Sequence, residues 1–122
     1  MEEYKLGIME MRFAQLIWEH EPVSSGELVK LCETEFEWKK STTYTMLRRL
    51  CQREIFRNED GMVTSLMSRE EFDALQSEKF VEEKFSGSLP RFLAAFTMRN
   101  KLSDKDINEL MELIERSRRK NI

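Results

Sequence analysis

The chain has 122 residues, of which 40% are hydrophobic and 35% charged, and its formal net charge is −3. This length suits one compact domain or two small ones, and a mean hydropathy of −0.58 points to a soluble chain. No apolar run approaches the ~20 residues of a membrane span and nothing at the start reads as a signal peptide, so direct membrane binding is not expected and a cytoplasmic location is.

In chain order, residues 8–19 carry Ile8, Met11, Leu16, Ile17 and Trp18 at rough helical spacing. The run "EPV" at 21–23 ends this first helix, because a residue before proline avoids helical angles. Ser24 followed by Glu27 is a capping box for a second helix, with Leu28, Leu31 and Cys32 as its apolar stripe. A break around Glu37–Lys40 precedes a third helix, with its cap expected at Ser41 or Thr42. Thr43, Met46, Leu47 and Leu50 form its inner face at i, i+3, i+4, i+7. Asp60-Gly61 lies between two short runs and signals a hairpin, about 55–58 and 62–66.

Beyond it the chain reads as helical. Ser68 and Glu71 form another capping box. Phe72, Leu75, Phe80, Val81 and Phe85 make one apolar stripe, broken by "SGSLP" at 86–90. Leu89, Phe92, Leu93 and Phe96 make a second, and Ile107, Leu110, Met111 and Ile114 a third, on a helix capped by Ser103 and Asp106. The basic tail "RSRRKN" is expected to fray. These stripes have no further element to cover them, so they are expected to meet a second copy of the chain, a two-fold homodimer being the commonest closed solution. The competing reading is an intramolecular three-helix cap. The organisation expected is mainly α: a winged helix-turn-helix domain over residues 1–67 and a helical dimerisation domain over 68–122.

The positive charge is not spread evenly. Residues 38–57 hold six Lys or Arg against one Glu, whereas residues 1–37 hold three against nine. Screening cuts off distant charges beyond roughly 8 Å, so it is the local excess that sets an anion-binding face. Helix, helix, basic helix, hairpin is the order of a winged helix-turn-helix, whose third helix enters the major groove of double-stranded DNA. On this reading Ser41, Thr42 and Thr45 approach phosphates or base edges, and Tyr44 meets a thymine methyl. Arg48 and Arg49 divide base reading and phosphate contact, and Lys39, Lys40 and Arg57 meet the backbone.

The motifs also resemble the penicillinase-repressor family of transcription regulators (BlaI/MecI/CopY). Glu10, Trp18 and Pro22-Val23, "GELV" at 26–29, "WKKSTTYTMLRRL" at 38–50, "SREEF" at 68–72, "FSGSLPRFLAAF" at 85–96 and "KLSDKDINELMELIE" at 101–115 follow the family's ordered pattern. The resemblance implies a homodimeric winged-helix repressor on a palindromic operator. In antibiotic-responsive members a membrane sensor-protease signals cleavage of the C-terminal domain at an Asn-Phe bond. The matching bond here is Ala95-Phe96, which departs from that pattern, and the competing reading of Phe96 is a core residue. The chain departs from the family by lacking the C-terminal cysteine pair of the copper-responsive members, by a shorter wing, by Glu54 in place of a helix-ending glycine, and by Tyr44 in place of Lys or Arg. Glu54 is therefore expected in a left-handed conformation.

An enzyme is not expected. His20, the single histidine, suits a helix C-terminus. Cys32 and Cys51 show no metal-like spacing, and no phosphate loop or catalytic set appears, so neither cofactor nor metal is anticipated. The rival reading is a winged-helix protein-interaction module without specific DNA binding.

Overall fold

The computed structural model describes residues 6–120. The elements are α1 (Ile8–His20), β1 (Val23–Ser24), α2 (Ser25–Phe36), α3 (Lys40–Gln52), β2 (Phe56–Glu59), β3 (Met62–Ser65), α4 (Arg69–Phe85), α5 (Leu89–Thr97) and α6 (Asp104–Lys120). This is the mainly α architecture expected, with a small antiparallel sheet in the strand order β1-β3-β2.

Local chemistry sets the helix starts. Ser24 Oγ accepts from Glu27 N–H at 3.1 Å at the start of α2. At α4 the box is reciprocal: Glu71 N–H donates to Ser68 Oγ at 3.0 Å, and Ser68 N–H to Glu71 Oε1 at 2.8 Å. Ser88 caps α5 through Arg91 N–H, and Ser103 caps α6 through Asp106 N–H. Each such bond satisfies a donor that the first helical turn leaves unpaired. The start of α3 differs from expectation. Its N-cap is Lys39, with no side-chain cap, and Ser41 and Thr42 lie within the first turn. Glu37 takes a left-handed conformation (φ 56°) as it ends α2, which makes the turn tight enough for α3 to begin at Lys40.

One core joins the first three helices to the sheet. Phe13, Ile17, Leu28, Leu47, Leu50, Ile55, Phe56 and Val63 are all buried. Trp18 stacks against Phe56 and Phe72 at centroid separations of 5.3 and 5.7 Å, and its indole N–H donates to the Met67 carbonyl at 3.1 Å. Trp38 packs between Phe13 and Phe36. On the inner face of α3, Thr43, Leu47 and Leu50 are buried and Met46 is partly so.

The hairpin has four-residue strands joined at Asp60 and Gly61, both at positive φ (52° and 81°), the two-residue turn that matches strand twist. Isolated hairpins are marginal. Here β1 adds a third strand, with Val23 opposite Val63, and the Glu21 carboxylate accepts from Ser65 N–H at 2.8 Å and from its hydroxyl.

By compactness the chain divides between Lys79 and Phe80. Phe72, expected on the dimerisation face, is fully buried in the single chain and packs against Trp18, both within the N-terminal unit. In the second unit Phe80, Phe85, Phe92 and Phe96 form a chain of ring contacts, with centroids 5.5 to 6.4 Å apart. No residue of α5 or α6 is buried. Leu89, Phe96, Ile107, Met111 and Ile114 are each 40–63% exposed. Leu75, Leu93 and Leu110 are half-buried. Of the basic tail, the described residues are helical to Lys120, with Arg118, Arg119 and Lys120 where cations suit the helix dipole, and Asn121 lies outside the described residues. Among the described residues no helix is long and apolar enough to cross a membrane.

Candidate nucleic-acid interface

The inner face of α3 is fixed in the core by Thr43, Leu47 and Leu50, so helical geometry aims the opposite face outward. Ser41, Thr45, Arg48 and Gln52 recur at i, i+4, i+7, i+11 and are all exposed. Thr42 is exposed beside them. Arg48 has no ion-pair partner among the described residues. The helix begins with Lys39 and Lys40, both exposed, and has no acidic residue in its first turn. Two cations at a positive dipole end, over uncapped N–H groups, are unfavourable unless an anion arrives there.

Three of the anticipated contacts are already engaged within the protein. The Tyr44 hydroxyl donates to Ser25 Oγ at 3.2 Å, and the ring is half-buried with Lys40 Nζ 6.0 Å from its centroid. Ser25 in turn donates its backbone N–H to the Gly61 carbonyl at 2.8 Å, so one residue ties α3, α2 and the hairpin turn together. Arg49 Nη1 donates to Glu10 Oε2 at 3.3 Å. Arg57, exposed on β2, pairs with Glu59 at 3.6 Å. With Asp60 at the turn, the tip of the wing is acidic.

Sequence reading gives no site role to Ser25 or Glu21, and names Glu10 only within the family pattern. Glu10 lies in the first turn of α1, where its Oε1 accepts from Gly7 N–H at 3.0 Å. That backbone bond, helped by hydrogen bonding to Arg49 and the charges of Arg53 and Arg49, holds the carboxyl below its usual 4.5 against the opposing effect of burial. A capping-type carboxylate at Glu10 was legible locally. Its partner 39 positions away was not.

Glu54 sits in the left-handed region (φ 61°), as the missing glycine implied. Burial pushes the Cys32 and Cys51 thiols up, so both are neutral at physiological pH. Among the described residues no group of His, Cys, Asp or Glu is placed to hold a metal ion.

The arrangement offers an exposed hydroxyl-and-arginine stripe on one helix, lysines at its start and a short hairpin alongside. The penicillinase repressor family model matches residues 6–116. The chain is 26% identical over 110 residues to the penicillinase repressor of Bacillus licheniformis, covering 87% of this chain and 86% of that one. It is 21% identical over 117 residues to the methicillin resistance regulatory protein MecI of Staphylococcus aureus, covering 93% and 95%. The chain thus belongs to the penicillinase repressor family, whose members are transcriptional repressors and not enzymes.

Proposed function

We propose that the protein represses transcription as a homodimer that binds a palindromic operator in double-stranded DNA, with α3 in the major groove. The observation that carries this reading is the outward stripe of α3. Ser41, Thr45 and Arg48 are exposed, their side chains making no hydrogen bond or ion pair among the described residues, in the segment that holds six cations against one anion. Thr42 flanks the stripe, and Lys39 and Lys40 supply phosphate contacts at the helix start. The exposed apolar faces of α5 and α6 support association of two copies, each reading one half-site.

Relief by proteolysis, triggered through a membrane sensor-protease, is the mode of induction we attach to this reading. The Ala95-Phe96 bond lies near the end of α5, which stops at Thr97. The Ala95 carbonyl accepts the capping N–H of Met98 at 3.3 Å, and the Phe96 carbonyl accepts the Arg99 and Asn100 N–H groups at 3.3 and 3.1 Å. Access to the bond therefore requires the last turn of α5 and these closing bonds to open together.

The test is a titration of the purified protein against a duplex from its own promoter and a scrambled duplex, at several salt concentrations. Lys39, Lys40 and Arg48 give about six free cations per dimer, for a log–log salt slope of about −5. Tight, sequence-selective binding with that slope and two chains per duplex supports the reading. The acidic wing tip favours a second reading, a protein-interaction module, which predicts weak binding equal for both duplexes.

A further inference from the structure

Arg49 differs from its neighbour Arg48 in one respect: it is held. Glu10 is fixed at one oxygen by the Gly7 N–H at 3.0 Å and grips Arg49 Nη1 with the other at 3.3 Å. The Glu10 side chain is 15% exposed and the Arg49 side chain 50% exposed. The anchor is thus largely enclosed, while half of the arginine still faces solvent. Only Nη1 of the planar fork is engaged by Glu10, and a guanidinium offers five N–H donors in fixed geometry.

We propose that Glu10 is a positioning residue for sequence discrimination. It pins the Arg49 fork in one orientation on α3, so that its remaining donors meet one pattern of base acceptors and reject the others. This inference rests on the DNA-binding reading above. A carboxylate near a polyanion lowers generic affinity, so its net effect on binding is distinct for matched and unmatched DNA. Fixing the fork favours the matched duplex through geometry, which a mobile arginine lacks. On the scrambled duplex the fork finds no fixed partner, and only the repulsion remains.

The experiment uses the full chain and two probes: the duplex that the wild type enriches from a randomised pool, and a scrambled duplex of the same composition. Glu10→Gln keeps an acceptor for the Gly7 N–H and removes the charge that grips Arg49. Affinity for the enriched duplex is expected to fall roughly five- to tenfold, a part of what one bidentate base contact contributes. Affinity for the scrambled duplex is expected to hold or rise. In an Arg49→Ala background the same substitution should leave the ratio of the two affinities unchanged. Arg49→Lys, which keeps the charge and loses the fork, should lower the ratio by a similar factor, and it serves as the second variant if Glu10→Gln is unstable.

Parallel loss on both duplexes would mark Glu10 as structural only and overturn the inference. So would an unchanged ratio in Glu10→Gln, or an equal drop without Arg49. If the wild type enriches no sequence, the DNA-binding reading itself fails and takes the inference with it. A discriminating wild type beside an equally discriminating Glu10→Gln sinks the inference alone.

Discussion

Truncating Phe72 to alanine separates two roles for the start of α4. The ring is 0% exposed and stacks on Trp18 at 5.7 Å. A fully buried Phe→Ala change costs about 3–5 kcal/mol, from lost transfer energy plus the cavity left behind. The ring pair adds about 0.5–1.5 kcal/mol beyond area, which places this site in the upper half of that range, at about 4–5 kcal/mol. Both tryptophans, Trp18 and Trp38, lie in the N-terminal unit, so their fluorescence follows that unit alone in a urea titration. The expected result is a large drop in its unfolding free energy, with the dimer dissociation constant, measured by sedimentation where the unit stays folded, little changed. A loss below about 1 kcal/mol combined with weakened association would refute the placement of Phe72 and return it to a contact between chains.

Glu54→Gly should stabilise the N-terminal unit by roughly 0.5–1 kcal/mol, because a left-handed L-residue costs about 1–2 kcal/mol and the extra freedom of unfolded glycine offsets part of it; the urea midpoint checks this. Met111→Glu, at a side chain 63% exposed in the single chain, should leave helix content intact and raise the dimer dissociation constant about tenfold or more, as read by sedimentation equilibrium. The Glu10 carboxyl is held below 4.5 chiefly by the Gly7 N–H. Its contribution to stability is therefore full above that value and is lost as the pH falls through the lower folded pKa. Acid titrations followed by circular dichroism should show a shallower acid limb in Glu10→Gln than in the wild type.

Helix positions were legible because each helix announces itself locally. Ser24 with Glu27 and Ser68 with Glu71 mark starts, and the inner stripe of α3 falls at Thr43, Leu47 and Leu50 as its spacing implies. The Asp60-Gly61 turn was legible for the same reason. What failed to show depends on partners far along the chain. The two-residue strand β1 has no alternation of its own and exists because Val63 pairs with Val23. The start of α3 was misplaced because a left-handed Glu37, and no side-chain cap, sets it. Phe72 fits the stripe of α4 as well as Phe80 does, and only Trp18, distant in sequence, distinguishes them. At the candidate interface, the spacing of the inner stripe left Thr42, Thr45, Arg48, Arg49 and Gln52 outward, and all are exposed. That spacing gave no sign that Tyr44 and Arg49 are engaged by Ser25 and Glu10.

That division within α3 bears on how such a regulator changes targets over generations. Thr45 and Arg48 face outward, and their side chains make no hydrogen bond or ion pair among the described residues. Substitutions there are close to neutral for folding, typically within about 0.5 kcal/mol. A duplicated gene can therefore drift at these positions and acquire a new operator without first losing its product to misfolding. Tyr44 and Arg49 are different, since altering either strands a partner on another helix. The same surface thus holds letters that are free to mutate singly and letters that must change in pairs.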